Sequence, residues 1–260
     1  MIRTVIVGGG MVGLTLARLL RARGHAPVVL ERGPAGAYQA RGFMLGYQGF
    51  EAFEELGILD RLRAAGRDVG AAQNGAPIRV AVDVGEVKRA LAEDVPVAHG
   101  ESVTGLVRDG GRVTGVVTEG PGGRAVVEAD LVVACDGRGS PVRGWAGLEA
   151  ELHPLNDAYL SFLSAVPTRQ LFGFRYMSDG GMITMLGWPQ GGTASRRIDK
   201  VGREAATAPD LALFRAGFAE LLPEAAEVLE HLSSWDEVRY VEPQLLRCPR
   251  WWVPGVVVIG

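Results

Sequence analysis

Six residues near the start of the chain, Gly8-Gly9-Gly10-Met11-Val12-Gly13, have the glycine spacing that cradles a pyrophosphate. Gly8 permits a tight turn, Gly10 lets a phosphate approach the backbone, and Gly13 allows the following helix to pack closely. The phosphate then faces a helix N-terminus, where unpaired N–H groups and the helix dipole favour negative charge. Glu31, 18 positions after Gly13, is spaced to accept hydrogen bonds from ribose hydroxyls. A dinucleotide is therefore expected, with NAD and FAD both open, since each contains adenosine diphosphate.

A second polar group follows the apolar run Leu131 to Cys135: Asp136-Gly137, then Ser140 and Arg143. Beside a pyrophosphate site, the carboxylate suits ribose hydroxyls and the guanidinium suits phosphates. Asp136 is equally suited to capping the first turn of a helix. Other chemistries find no support. Ser140 lacks the GxSxG elbow, and no paired carboxylates are recognisable, so no catalytic side chain is assigned. His25, His99, His153 and His231 stand singly, and Cys135 and Cys248 lack CxxC spacing, so no metal site or disulfide framework is expected.

The elements that must carry these residues follow from periodicity. Thr4 to Val7 is a β-branched run, Val12, Leu16, Leu19 and Leu20 recur at helical spacing until Gly24, and Pro27 to Leu30 is a second buried strand. Together they predict one βαβ unit with parallel strands. Helices are expected from about Tyr47 to Leu56 and from Ile58 to Ala65, with residues 66–77 as a breaker-rich crossing and Ile78 to Val82 as a strand. Val84 to Ala92 reads as a helix, and Asp109-Gly110-Gly111 joins two strands of a hairpin. From about Glu151 the pattern changes to strands at 159–166, 170–177 and 182–188, then helices at 209–222 and 224–232. Along 170–177 the alternation puts Phe172, Phe174 and Tyr176 on one face and Leu171, Arg175 and Met177 on the other, while Met182, Thr184, Leu186 and Trp188 share a face of the next strand. One of these faces is a candidate wall for an aromatic pocket, and an ordinary packed sheet face is the competing reading. Gly255 to Ile259 is again an apolar strand.

Acidic residues outnumber basic ones by 30 to 27, and no Lys or Arg run suggests a nucleic-acid footprint. Ile2 to Val7 is too short for a signal peptide, and no apolar stretch reaches membrane-spanning length. A cytoplasmic protein acting on a small molecule, with neither nucleic acid nor membrane as partner, is expected.

The motifs resemble those of the group A flavoprotein monooxygenases, the para-hydroxybenzoate hydroxylase-like family. That family's fingerprint is Asp-Gly, two residues, Ser, two residues, Arg, and Asp136, Gly137, Ser140 and Arg143 match it. Glu31-Arg32, and Arg41 in the loop where members place an arginine near the flavin, add weaker matches. By the same resemblance Ser102 and Val103 meet the adenine. The segment Trp251 to Gly260 resembles the strand entering the family's Gly-Asp fingerprint, whose aspartate would follow Gly260. Without it, either the sequence is a fragment or the protein holds FAD poorly. A second departure is Val84, which stands where many members carry an arginine.

The resemblance implies an α/β fold: a Rossmann-type FAD-binding domain of the GR2 kind and a sheet-based substrate domain. The first would comprise residues 1–66, 84–150 and 250–260, the second 67–83 and 151–249. It implies an FAD-dependent monooxygenase using NAD(P)H and O2 to hydroxylate or epoxidise an aromatic or polyketide-like molecule. Its FAD contacts would be Gly8, Gly10, Met11, Val12, Gly13, Glu31, Arg32, Arg41, Ser102, Val103, Asp136, Gly137 and Arg143. A flavin-dependent reductase or dehydrogenase, and a truncated non-catalytic dinucleotide-binding protein, are the competing readings.

Overall fold

The computed structural model describes residues 2–37, 42–71, 77–166, 172–177 and 181–259. The chain forms two compact units, one of Met1–Tyr38, Val87–Leu152 and Leu246–Gly260, the other of Gln39–Glu86 and His153–Leu245.

The first unit is built on a six-stranded sheet in the order Trp252–Val253, Val256–Val258, Leu131–Ala134, Thr4–Val7, Val28–Glu31, Val97–His99. Its last five strands run parallel, and Trp252–Val253 pairs antiparallel at the edge. The Thr4–Val7 strand is buried throughout, as a central parallel strand covered on both faces must be. From it the chain passes through helix Met11–Ala22 to Val28–Glu31 on one side, while Leu131–Ala134 lies on the other. The chain thus changes direction at the tip of the first strand, which opens a crevice at the carboxyl ends of the strands.

Strands Ser102–Asp109, Arg112–Gly120 and Gly123–Glu128 form an antiparallel meander. Its Val113 and Val116 share a core with Val5, Val7, Val132 and Ala134 of the sheet. Helix Met11–Ala22 buries Gly13, Leu14 and Ala17. The first strand is also tied by charge: the Arg3 guanidinium binds Asp130 at 3.0 Å, and the Arg3 backbone N–H donates to the same carboxylate at 2.8 Å.

The second unit holds a five-stranded antiparallel sheet, ordered Phe172–Tyr176, Met182–Trp188, Gly191–Asp199, Asp157–Ser164, Val238–Val241. Along Asp157–Ser164 every second residue is buried, so one sheet face is committed to a core. Leu160, Phe162, Ile183, Met185 and Ala194 share a core with Phe214 and Phe218 of helix Leu211–Leu221 and with Leu222 just beyond it, and that helix is capped by Asp210 accepting from the Ala212 N–H at 2.8 Å. Strands Gly42–Gly46, Pro77–Asp83 and Arg67–Ala71 make a further three-stranded sheet.

The sequence expectation differs from these units at residues 42–66, which belong to the second unit. The physical reason is pairing: Gly42–Gly46, expected to be loop, runs antiparallel to Arg79–Asp83. The strand Gly191–Asp199, to which no element is assigned from sequence, is central to its sheet. Trp188 is 2% exposed, and a Cβ on Gly42 would fall 2.7 Å from its ring, so this tryptophan is a core residue beneath the Gly42 strand and not the wall of an open pocket. Among the described residues no helix is long and apolar enough to cross a membrane.

Candidate cofactor-binding site

The three glycines of the first motif meet different steric demands. Gly8 ends the first strand with φ of +108°, a region that side chains disfavour, and its N–H donates to Leu30 O at 2.8 Å. A Cβ there would strike the backbone carbonyl of Cys135, and one on Gly13 would strike that of Gly8. These two glycines let backbone pack on backbone. Gly10 is different: its conformation is ordinary (φ −75°, ψ 178°), and among the described residues nothing lies within 4 Å of where its Cβ would be. It begins helix Met11–Ala22 without a side-chain cap. The N–H groups of the first turn therefore have no intrahelical acceptor, and the open space lies beside them.

Glu31, expected to serve only a ribose, also holds the loop. One carboxylate oxygen accepts from the Gly9 N–H at 2.7 Å, the other from the Gly33 N–H at 2.7 Å. Each oxygen retains a further lone pair for a ligand hydroxyl. The following turn is fastened to the neighbouring segment, with Gly100 N–H donating to Gly33 O at 3.3 Å and Glu101 N–H to Glu31 O at 3.1 Å.

At the end of Leu131–Ala134 the chain turns through Gly137, at φ of +89°, into the short helix Pro141–Trp145. Ser140 is the N-cap, its hydroxyl accepting from the Arg143 N–H at 3.0 Å. Asp136 assists through Oδ2, which accepts from the Val142 N–H at 3.3 Å. The other oxygen, Oδ1, is buried and has no hydrogen-bond partner among the described residues. A buried acceptor of this kind costs free energy unless a donor reaches it. Both readings of Asp136 thus have a part of the carboxylate. Next to it, burial and then the Asp136 charge push the Cys135 thiol up to about 12, so it stays protonated.

These segments enclose a cleft of about 370 Å3 within the first unit. Of the residues singled out from sequence, Gly8, Gly10, Glu31, Arg32, Ser102, Val103, Asp136 and Gly137 line it. Met11, Val12 and Gly13 form the first helical turn behind Gly10 and are not among its walls. Arg143 is also outside the lining, its guanidinium donating to Arg138 O at 3.0 Å and bracing the loop. Arg41 lies outside the described residues. The walls also include Glu101, Cys135, Pro141 and Trp145, which no motif had marked for ligand contact. The only local signals for them were the flanks of Ser102 and of the Asp-Gly fingerprint.

The cleft fits the adenosine diphosphate part of a dinucleotide. It offers an unpartnered buried carboxylate oxygen, a carboxylate at the tip of the second strand, and a helix N-terminus beside a glycine with open space. Among the described residues no three His, Cys, Asp or Glu side chains gather closely enough to hold a metal ion.

Comparison with known proteins agrees with this geometry. The chain is 27% identical to 6-methylpretetramide 4-monooxygenase of Streptomyces rimosus, over 98% of its own length and 67% of the relative's. It is 35% identical to dialkyldecalin synthase of Streptomyces rugosporus, over 55% of this chain and 34% of that protein. The chain therefore spans from about a third to two thirds of these relatives. In fold it resembles PqsL of P. aeruginosa, solved in complex with 2-aminobenzoylacetate, with a TM-score of 0.83 at 19% identity over all of this chain and 78% of that one. The family model described as the FAD binding domain matches residues 1–169, well over half of the chain. The chain belongs to the FAD binding domain family.

Proposed function

We propose that this protein is an FAD-dependent monooxygenase that uses NAD(P)H and O2 to hydroxylate or epoxidise an aromatic or polyketide-like small molecule in the cytoplasm. The observation that carries the reading is the cleft of the first unit, where Gly10 leaves open space at a helix N-terminus and Asp136 Oδ1 lies buried with no donor among the described residues. Its extension to oxygen transfer rests on family membership and on the similarity to 6-methylpretetramide 4-monooxygenase.

The bound flavin would supply the redox chemistry, between nicotinamide, oxygen and substrate. The chain's own work is binding and orientation. The Met11, Val12 and Gly13 N–H groups at the helix N-terminus would hold the pyrophosphate of the cofactor, and Gly8 and Gly13 allow the close backbone packing that places that N-terminus at Gly10. Glu31 would accept from the adenosine ribose, and Asp136 Oδ1 would accept from a cofactor hydroxyl. Arg32, Ser102 and Val103 would border the adenine, and Arg143 braces the Asp136 loop through Arg138. Arg41 is assigned to the flavin on sequence grounds. In the second unit, the sheet face with Phe174 and Tyr176, 47% and 71% exposed and paired edge to face at 5.8 Å, suits an aromatic substrate.

The test is a reconstituted assay following NAD(P)H loss, O2 uptake and product mass. FAD-dependent consumption of both, with one oxygen atom added to an aromatic acceptor, supports the reading. Oxidation that proceeds without O2 replaces it with a reductase or dehydrogenase. One observation favours a further reading: a relative named as a synthase shares more than half of the chain. Conversion of a substrate with FAD bound and no NAD(P)H consumed would select that second reading.

A further inference from the structure

Strand Gly123–Glu128 is the outer edge of the meander, paired to Arg112–Gly120 on one side and to no strand on the other among the described residues. Val127 packs against the core shared with the parallel sheet, whereas Val126 is 60% exposed. Alternation therefore places Arg124, Val126 and Glu128 together on the outer face, and all three are exposed. Their backbone groups are directed outward as well. A Cβ on Gly115 would strike the Val127 carbonyl, so that carbonyl is turned toward the neighbouring strand. The two strands are joined by the two-residue turn Pro121-Gly122, with Gly120 facing Gly123, and such a hairpin closes on a hydrogen-bonded pair. Counting on from Gly123, Ala125 and Val127 bond to Arg112–Gly120, while the N–H and C=O groups of Arg124, Val126 and Glu128 point away from it. A row of such groups is a template for one more strand.

Charges commonly guard an edge, because like charges directly opposite each other repel an incoming strand. Against a second copy of this chain the signs are attractive instead. When two copies of the strand run antiparallel about Val126, Val126 meets the partner's Val126, and Arg124 meets the partner's Glu128 on either side of the axis. The outward N–H and C=O groups then face each other at all of these positions. A shift of two residues in either direction sets Val126 against a charge, and a shift of one sets outward groups against inward ones. Arg124 has no hydrogen bond or ion pair among the described residues. Glu128 accepts from the Arg3 guanidinium at 2.5 Å, but its side chain is 72% exposed and a carboxylate accepts from more than one donor.

We propose that Gly123–Glu128 is a self-association edge, through which two copies of this chain join antiparallel about a two-fold axis at Val126 and continue the meander from one copy into the other. The inference is independent of the cofactor reading. One short strand buries less than a standard interface, so the dimer is reversible, formed at roughly 100 µM chain and dissociated at roughly 1 µM.

The experiment is sedimentation of the purified chain across that concentration range, with circular dichroism to establish that each variant is folded. Wild type should pass from monomer to dimer as concentration rises. Arg124→Glu sets like charges together at both pairs and should raise the dissociation constant by on the order of tenfold. Glu128→Arg should do the same. An equimolar mixture of the Arg124→Glu and Glu128→Arg chains brings opposite charges together at both pairs, and should associate about as tightly as wild type. Val126→Pro removes the outward N–H at the axis while sparing the bonds to Arg112–Gly120, and should stay monomeric. If that variant fails to fold, Val126→Lys, which sets two ammonium groups together at the axis, replaces it with the same expected result. Wild type that is monomeric throughout, or a dimer indifferent to both Arg124→Glu and the Val126 variant, overturns the proposal. A mixture that associates no better than its separate components overturns the register about Val126.

Discussion

Replacing Gly10 by alanine should separate cofactor binding from folding. The backbone there has φ −75° and ψ 178°, open to any residue, and the new methyl group would meet nothing within 4 Å. Two small terms act on stability. Alanine restricts the unfolded chain, which stabilises by about 0.4–1 kcal/mol, and it is a poorer N-cap than glycine, which costs roughly 0.5–1 kcal/mol. These nearly cancel, so the melting temperature should stay within about 4 °C of wild type. Binding is another matter, because the methyl group occupies the space through which a phosphate reaches the helix N-terminus. Loss of one hydrogen bond to a charged group, about 1.5–3 kcal/mol, corresponds to roughly 10- to 150-fold weaker FAD binding. Quenching of flavin fluorescence and a thermal melt measure the two quantities on one preparation. Gly13→Ala supplies the contrast, because its Cβ would strike the Gly8 carbonyl and should impair folding and binding together. Gly10→Ala that binds FAD like wild type would refute the phosphate path, and one that unfolds would refute the open space.

Glu31→Gln should lower the stability of the cofactor-free protein, because a neutral amide cannot accept from both Gly9 and Gly33. Losing one charge-assisted bond, about 1.5–3 kcal/mol, should reduce the melting temperature by about 3–10 °C; an unchanged melt would show that the carboxylate does not hold the loop. Cys135, with its thiol raised to about 12 and its side chain buried, should resist iodoacetamide at pH 8 in the native protein and react in denaturant. Mass spectrometry of the labelled protein decides this, and rapid native labelling of Cys135 would contradict its burial. For Asp130, the hydrogen bonds from Arg3 lower the carboxyl from 3.8 to about 2. A lowered native pKa means the interaction stabilises fully above about pH 4 and is lost as pH falls through about 2. Asp130→Asn should therefore melt below wild type at pH 7, with the gap closing between pH 4 and pH 2. A gap independent of pH would show that the charge of Asp130 plays no part.

The cofactor motif was legible because its requirements are local. A tight turn at Gly8, close packing at Gly13 and open space at Gly10 lie within six residues, and the strand and helix flanking them carry clear periodicity. What was not legible depends on distant partners. The second role of Glu31 needs the Gly9 and Gly33 N–H groups brought to it by the fold. Glu101 and Trp145 are 44 residues apart and become neighbours of the cleft only through the meander and the helix after Gly137.

Glycine also misleads where it serves a strand. Gly42 and Gly46 bound a segment that reads as loop, yet Gly42 belongs there because Trp188 and Leu186 occupy the space of its missing side chain. Gly191, in a segment given no element from sequence, opens the central strand of its sheet, and a Cβ there would strike the Ser164 carbonyl. Because Gly42–Gly46 pairs with residues near position 80, no local pattern could assign residues 42–66 to the second unit.

The most direct measurement is a titration of the purified, folded chain with FAD, read by flavin fluorescence and competed with ADP. The account predicts saturation at one FAD per chain and full displacement by excess ADP, because the adenosine diphosphate cleft provides the binding. A chain with native circular dichroism that leaves flavin fluorescence unchanged, or FAD binding that ADP cannot displace, would contradict it.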